Sequence, residues 1–252
     1  MADLTGKTVV ILGGAGLIGS AFSRACAQSG ATVVIGDIDA KNGEKLAREI
    51  SGSFLHIDIS KPAAVENAAK EMAIKHGKID GVVNASYPKT KKFGTPFNKA
   101  KVNDMLADIS LQIGACLSTV KAFAPLMESQ QTGSIVLLGS IYGAVAPRFD
   151  IYEGTSITTP AEYAAIKGSV LALVRYFASL LGPSGIRVNA ISPGGISDKQ
   201  PQQFIDAYAR YLKLGTGLLD PEDVVGALVY LFSDASKNMT GQNLVIDGGW
   251  SL

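Results

Sequence analysis

Two side chains four residues apart, Tyr163 and Lys167, form the pair in this sequence best suited to move a proton. On a helix, residues at this spacing share a face and lie about 5–6 Å apart at Cβ. A phenol has an ordinary pKa of about 10, and a nearby ammonium lowers it because the cation favours the phenolate. A tyrosine shifted in this way can give or take a proton near neutral pH. The pair therefore predicts general acid/base chemistry on one helix.

A third chemical group, the hydroxyl of Ser140, follows an apolar segment at residues 133–139 that predicts a buried strand. In α/β proteins, ligands bind at the carboxyl ends of the strands, where Ser140 would lie. The helix of Tyr163 carries apolar residues at helical spacing, which should face the core: Val170, Leu171, Val174, Phe177, Ala178 and Leu181. The sequence thus places a hydroxyl donor and an acid/base pair near one sheet edge.

Short apolar segments that alternate with helical segments are predicted to position these groups. Buried parallel strands are predicted at residues 8–12, 32–36, 53–57, 80–83, 133–139, 185–191 and 244–246. Helices are predicted between the first strands, and again over 202–213 and 221–232. This order predicts an α/β fold. We expect a Rossmann-type doubly wound parallel sheet of about seven strands, with helices on both faces, in a single domain over residues 1–252.

The segment between the fourth and fifth strands differs from the rest. Residues 87–98 contain two prolines and three lysines and are predicted to form a surface loop. A long helical region is expected over 99–128, with a break near Asp108. Residues 109–127 are apolar on more than one face, and such a helix needs more than one packing partner. This region therefore predicts a homotetramer or homodimer.

A dinucleotide site is predicted between the first strand and the first helix. Gly13, Gly16 and Gly19 are spaced G-x-x-G-x-x-G, and small residues let the backbone and the helix N-terminus approach a pyrophosphate. Asp37 ends the second strand 18 residues beyond Gly19, near the spacing of a ribose-binding acid. A carboxylate there would repel a 2′-phosphate, and no arginine flanks it, so NAD is favoured over NADP. The alternative role of Asp37 is to cap the following helix.

Taken in order, the glycine loop, Ser140 and the Tyr163-x-x-x-Lys167 motif resemble the short-chain dehydrogenase/reductase family over the whole chain. The resemblance implies an oxidoreductase that interconverts a secondary alcohol and a carbonyl. It implies that Tyr163 is the general acid/base and that Ser140 holds the substrate oxygen. Lys167 would bind the nicotinamide ribose and lower the pKa of Tyr163.

The resemblance also implies which residues line the cofactor and substrate sites. Asp58 would contact the adenine, and Pro193-Gly194 would face the nicotinamide. The expected cofactor-binding residues are Gly13, Gly16, Leu17, Ile18, Gly19, Asp37, Ile38, Asp58, Ile59, Asn84, Ala85, Ser86, Tyr163, Lys167, Pro193, Gly194, Ile196 and Ser197. The expected substrate contacts are Ser140, Tyr142, Arg148 and Tyr163. Residues 200–217 are expected to form a substrate lid.

The chain departs from the family pattern at two places in the chemical half. Gln112 stands where the family has an asparagine that takes part in a proton relay to the lysine, so Gln112 is expected to take that catalytic position. Ser140 and Tyr163 lie 23 residues apart, about ten more than the family has, which indicates an insertion within 147–160. The insertion is rich in hydroxyl groups, and Arg148 could pair with a phosphate or carboxylate. A polar, sugar-like substrate is therefore expected.

Three functional hypotheses follow from these motifs. The leading one is an NAD-dependent oxidoreductase, and the Ser140-Ile-Tyr-Gly motif with its insertion resembles members associated with flagellin modification and surface-sugar biosynthesis. The second is a sugar-nucleotide epimerase or dehydratase, because the middle glycine, Gly16, has the spacing of that branch. The third is a non-catalytic dinucleotide-sensing protein.

Bulk properties exclude several other classes. A net charge of +1 gives no electrostatic reason to expect nucleic acid or an anionic membrane as a partner. Cys26 and Cys116 form no disulfide framework and suit a reducing cytoplasm. His56 and His76 are too few and too separated for a metal site. No membrane span is expected, because no apolar segment of about 18 residues is evident. We therefore expect a cytoplasmic protein that acts on a small molecule.

Overall fold

The computed structural model describes residues 2–215 and 217–252. Seven parallel strands form one sheet in the order β3-β2-β1-β4-β5-β6-β7. The strands are β1 (Thr8–Leu12), β2 (Thr32–Asp37), β3 (Ser53–His56), β4 (Gly81–Asn84), β5 (Gly133–Leu138), β6 (Ile186–Pro193) and β7 (Asn243–Ile246). The predicted doubly wound parallel sheet is confirmed, and the strand bounds lie close to the predicted ones.

The direction of winding reverses at β1, which pairs with β2 on one side and with β4 on the other. After β1, the chain adds β2 and β3 on one side of β1. It then crosses to the other side and adds β4 to β7 in order. The loops at such a switch point diverge and leave a crevice outside the carboxyl ends of the strands. The glycine loop begins directly after β1, so it lies in that crevice.

Helices cover both faces of the sheet, and each face has its own apolar core. The helices are α1 (Leu17–Gln28), α2 (Ala40–Glu49), α3 (Pro62–His76), α4 (Val102–Gln130), α5 (Ala161–Leu181), α6 (Gln202–Ala209) and α7 (Val225–Phe232). Alternate residues of β1 point to opposite faces, as the strand period requires. Val10 joins the core beneath α3, α4 and α5, whereas Ile11 joins the core beneath α1, α2 and α7.

The helix that was expected to break near Asp108 is continuous in α4, so that prediction is wrong. Asp108 is buried, and its carboxylate accepts hydrogen bonds from the backbone N–H of Thr90 at 2.6 Å and from the Thr90 hydroxyl at 3.0 Å. The charge therefore does not end the helix, because the loop before α4 supplies its partners. Asp108 anchors residues 87–98 to the helix.

The two helices predicted near the C-terminal end are both shorter than expected. α6 ends at Ala209 rather than at Lys213. The backbone N–H groups of Lys213 and Leu214 donate to the carbonyl of Gly248, which takes the chain out of the helix. The other predicted helix begins as a 3₁₀ turn at Pro221–Val224 and becomes α7 only at Val225.

Two helices, Val102–Gln130 and Ala161–Ser184, are long and apolar enough to cross a membrane by length and composition. The sequence analysis expected none. A core helix of a globular protein passes the same test, and these two pack against each other and contribute to the core beneath α3, α4 and α5. They are weak evidence for a membrane span, and its absence stays a prediction.

Candidate active site

A cavity of about 890 Å³ opens at the carboxyl ends of the strands. Its walls come from the loops after β1 to β6 and from the helices α5 and α6. Ser140, Tyr163 and Lys167 line this cavity together with the glycine loop. The remaining predicted site residues that line it are Leu17, Ile18, Asp37, Ile38, Asp58, Ile59, Ala85, Ser86, Tyr142, Pro193, Gly194 and Ile196. One cavity therefore contains both the cofactor motif and the acid/base pair.

The ammonium of Lys167 is buried beside the end of β5. It donates a hydrogen bond to the carbonyl oxygen of Leu138 at 2.8 Å, and it lies 5.6 Å from the centroid of the Tyr163 ring and 5.7 Å from that of Tyr87. Burial lowers the pKa of Lys167 from its ordinary 10.5 to about 8, because the charged form loses its water. One carbonyl and two aromatic faces thus stabilise the cation.

The pKa of Tyr163 corrects a sequence-based expectation. Burial raises this pKa above its ordinary value of 10, and hydrogen bonding to Ser140 opposes the shift. The expected lowering by Lys167 is not found, because the ammonium gives its short hydrogen bond to Leu138 and not to the phenol. Tyr163 is therefore protonated at neutral pH and can act as a proton donor.

The glycine loop packs closely on neighbouring backbone and leaves the N-terminus of α1 without a side-chain cap, which suits a dinucleotide. Gly13 has φ of 75°, and a Cβ there would lie 2.6 Å from the backbone of Ser86. A Cβ at Gly19 would collide with the carbonyl oxygen of Gly13. Gly16 is the N-cap of α1 and offers no side chain to the first amides, so these can face an anion.

Asp37 ties the end of β2 to the glycine loop. Its Oδ2 accepts a hydrogen bond from the backbone N–H of Ala15 at 2.9 Å, and its Oδ1 accepts one from the N–H of Asp39 at 3.0 Å. The cap of α2 is Asp39, whose side chain accepts from the N–H of Asn42. The alternative role of Asp37 as the helix cap is therefore wrong.

Some predicted site residues do not line the cavity: Gly19, Asn84, Gln112, Arg148 and Ser197. Asn84 supports the cavity wall from behind. Its Oδ1 accepts a hydrogen bond from the N–H of Ser86 at 3.1 Å, and its Nδ2 donates to the Thr119 hydroxyl at 3.1 Å. Ser197 is held instead by its backbone, because its N–H donates to the carbonyl of Leu219.

Gln112 is buried in α4 near Tyr87, and its Nε2 has no hydrogen-bond partner among the described residues. A buried amide in this state suits a bridging water. No contact among the described residues links Gln112 to Lys167, so the relay role of Gln112 stays a prediction.

The structure does not bring Arg148 into the cavity, so the substrate contact predicted for it is not supported. Its guanidinium lies over the ring of Tyr211, 4.2 Å from the centroid, and over Trp250 at 5.2 Å. Its Nη2 donates to the carbonyl of Leu252 at 3.3 Å. Aromatic faces hold the planar guanidinium on the outer side of the insertion.

Aromatic residues of the loop after β4 are the main site residues that the sequence analysis missed. The rings of Tyr87 and Phe93 meet Tyr163 edge to face, with centroids 6.1 and 6.4 Å away, and they contact each other at 5.5 Å. Lys89 from the same loop also lines the cavity. The position of this loop, at the carboxyl end of a strand, was a signal that could have indicated its role.

Part of the insertion and part of the predicted lid also reach the cavity. Tyr152, Ile157, Thr158 and Thr159 line it from the insertion. Phe204 and Tyr208 line it from α6, which lies within the predicted lid at 200–217. Residue 216 of that lid lies outside the described residues.

Comparisons with known proteins agree with this arrangement. The family model described as enoyl-(acyl carrier protein) reductase matches residues 14–251. The post-translational flagellin modification protein A of Campylobacter coli is 34% identical, over 99% of this chain and 100% of that protein. A short chain dehydrogenase from Leptospira borgpetersenii, solved with bound NAD+, has a TM-score of 0.86 at 26% identity and covers 99% of this chain and 94% of its own. A gluconate 5-dehydrogenase from Burkholderia cenocepacia, in complex with NADP and tartrate, has a TM-score of 0.87 at 25% identity, covering 98% and 96%.

Replacing Lys167 by Met is expected to remove a pH dependence of stability. The folded pKa of about 8 lies below the ordinary 10.5, so the unfolded chain binds more protons between these values. The contribution of Lys167 to stability is therefore present above pH 10.5 and is lost as the pH falls to 8, by about 3 kcal/mol in all. Urea unfolding of both proteins from pH 7 to 10 measures this.

The free energies of unfolding of wild type and variant are compared by subtraction, because burial also raises the pKa of Cys26 to about 12 in both proteins. Cys116 differs between them, because the charge of Lys167 opposes the rise of its pKa to about 11 in the wild type only. The free energy of unfolding of the variant minus that of wild type should be largest below pH 8, and it should decrease as the pH rises above 8. Lys70→Met, at an exposed position of α3, is the matched control. A difference that stays constant from pH 7 to 10 would contradict the shifted pKa.

Proposed function

The chain belongs to the short-chain dehydrogenase/reductase family and is an oxidoreductase of that family, and from this premise we propose that it uses NAD to interconvert a secondary alcohol and a carbonyl on a polar, sugar-like substrate. The main support for the proposal is that Ser140, Tyr163 and Lys167 line the same cavity as the glycine loop. Because this set is complete, we do not retain the hypothesis of a non-catalytic dinucleotide sensor.

The residues of the chain act on the substrate oxygen. NAD, bound with its pyrophosphate at the glycine loop, would supply or accept the hydride at its nicotinamide ring. During reduction, negative charge develops on the carbonyl oxygen, and hydroxyl donors at Ser140 and Tyr163 stabilise it. Tyr163 then gives its proton to that oxygen, and it takes the proton back during oxidation. Lys167, whose ammonium lies 5.6 Å from the centroid of the Tyr163 ring, would bind the nicotinamide ribose.

Three similarities support a polar substrate. The insertion resembles members associated with flagellin modification, and one relative bears that name. A structural neighbour is a gluconate 5-dehydrogenase in complex with NADP and tartrate, and gluconate is a hydroxylated acid. In this chain, Thr158 and Thr159 of the insertion line the cavity.

A sugar-nucleotide epimerase or dehydratase is a second candidate, carried by the spacing of Gly13, Gly16 and Gly19. Such an enzyme keeps its NAD through a catalytic cycle. Stoichiometric NAD in the purified protein would favour it, whereas a protein that purifies without nucleotide would favour a dehydrogenase.

We further propose a homotetramer or homodimer in the cytoplasm. Exposed apolar side chains lie on both long helices: Val102, Leu106 and Leu117 on α4, and Tyr176 and Leu180 on α5. A second copy of the chain would cover them. Light scattering at micromolar concentration should give a multiple of 26.2 kDa, and a monomer would contradict the assembly. The unpaired thiols of Cys26 and Cys116 suit the cytoplasm, which cell fractionation tests.

Changing Tyr163 to Phe should lower kcat at least about 100-fold, because general acid/base groups supply 10²–10⁴-fold. The ring still packs against Tyr87 and Phe93, so NAD binding measured by calorimetry should stay near wild type. Tyr230→Phe removes a phenol of α7 that does not line the cavity and serves as the control. A Tyr163→Phe enzyme that retained more than about a tenth of wild-type kcat would exclude the acid/base role.

Asp37 should set the preference for NAD, because its carboxylate would repel a 2′-phosphate. We expect wild type to bind NAD more tightly than NADP. In Asp37→Ser, the Kd for NADP divided by the Kd for NAD should decrease toward one. Asp37→Asn removes the charge but keeps an acceptor for the N–H of Ala15, so it separates repulsion from loop geometry. Equal affinity of wild type for both cofactors would contradict this role.

A further inference from the structure

We propose that the substrate end of the cavity binds a polyhydroxylated ring and that Tyr142, Tyr152 and Thr159 recognise its adjacent hydroxyl groups. This inference rests on the proposed function and deepens it, because it assigns the substrate class to named side chains. All three residues line the cavity. We refer to them below as the hydroxyl ladder.

The ladder ends beside the acid/base residue. The phenol oxygens of Tyr142 and Tyr152 lie 3.0 Å apart, and the side chain of Thr159 lies near the Tyr152 phenol. The ring of Tyr142 meets that of Tyr163 edge to face, with centroids 6.4 Å apart and an interplanar angle of 88°. A substrate carbon held at Tyr163 therefore has its neighbouring carbons near the ladder.

The ladder can both donate and accept hydrogen bonds. Burial raises the pKa of Tyr142 and of Tyr152, so both phenols keep their protons at neutral pH. Each hydroxyl has one hydrogen and two lone pairs, so the single hydrogen bond between the two phenols leaves one of their hydrogens and several of their lone pairs for a ligand. A pair of substrate hydroxyls can take up these positions, because each can donate and accept as well.

Aromatic rings form the rest of this end of the cavity. Tyr87 and Phe93 line one side, and Phe204 lines the other, 5.3 Å from the ring of Tyr152. A sugar-like ring has apolar C–H faces and a polar edge, so its faces can pack on aromatic surface while its edge meets the ladder. A purely aliphatic substrate would bury the ladder without partners, which carries a penalty for each unpaired hydroxyl.

The ladder is held rigidly because the insertion is fastened to the lid. The Tyr211 hydroxyl donates to the carboxylate of Asp150 at 2.6 Å, and the side chain of Gln203 donates to the carbonyl of Glu153 at 3.0 Å. These contacts lie on either side of Tyr152 in the sequence. A phenol positioned in advance selects for hydroxyl geometry more sharply than a mobile one.

A series of six-membered rings that differ in the number of hydroxyl groups tests the assignment. We would measure Kd by ligand-observed NMR for cyclohexanol, trans-1,2-cyclohexanediol and myo-inositol, with the protein saturated with NADH so that no turnover occurs. Wild type should bind myo-inositol at least about tenfold more tightly than cyclohexanol, since each hydrogen bond contributes about 2–10-fold. Tyr152→Phe should reduce this ratio to about threefold or less.

Thr159→Val provides a second variant with little change of volume, and circular dichroism checks that each variant is folded. Tyr230→Phe is the control, because it removes a phenol of α7 that neither lines the cavity nor contacts the insertion, and it should keep the wild-type ratio. No binding of myo-inositol, no preference for it, or an unchanged ratio in both ladder variants would overturn the inference.

Oxidation of the same alcohols with NAD+ is measured separately, by the absorbance of NADH. Ladder-dependent binding without any oxidation would uphold the inference and refute the proposed function. Oxidation of cyclohexanol with a kcat/KM equal to that of the hydroxylated rings would overturn the inference and leave the oxidoreductase standing.

Discussion

The buried ammonium of Lys167 is the constraint around which the catalytic half of this protein is arranged. A charge taken out of water is unfavourable unless polar groups surround it, and Lys167 meets the carbonyl of Leu138 and the faces of Tyr87 and Tyr163. The carbonyl lies at the last residue of β5, so the bond joins α5 to the end of that strand. Ser140 follows two residues later, and the three chemical groups are thereby held in one place.

The two halves of the cavity are stabilised in different ways. In the cofactor half, backbone geometry dominates, because Gly13 and Gly19 allow close approach and Asp37 holds the N–H of Ala15. In the substrate half, irregular segments are fastened by single side chains. Asp108 holds the loop that carries Tyr87 and Phe93, and Asp150 holds the insertion against Tyr211. The substrate half can therefore vary in sequence without disturbing the cofactor half.

This difference explains how much of the protein could be predicted from its sequence. The strands and the helix that carries Tyr163 and Lys167 follow from short-range patterns, and each was found close to its predicted place. The direction of the Tyr163 pKa was wrong, because residue spacing indicates which groups are neighbours but not how much water they lose. Asp108 was taken for a helix break, although its partner is Thr90, and Arg148 was placed in the cleft, although it stacks on Tyr211 and Trp250. Such partners come from distant segments, and no local pattern indicates them.

The C-terminal segment shows how the substrate half is completed. Trp250 is fully buried, stacks on Tyr208 with centroids 5.1 Å apart, and meets Tyr142 at 5.9 Å. The hydroxyl of Tyr208 accepts a hydrogen bond from the N–H of Gly195 at 2.7 Å, directly after the Pro193-Gly194 turn that is predicted to face the nicotinamide. The indole of Trp250 thus contacts three segments: α6 through Tyr208, the segment after Ser140 through Tyr142, and the insertion through Arg148. Because these three segments share one packing residue, they form a common wall of the cavity. A change of substrate specificity would therefore have to preserve Trp250 and alter only the side chains that face the cavity.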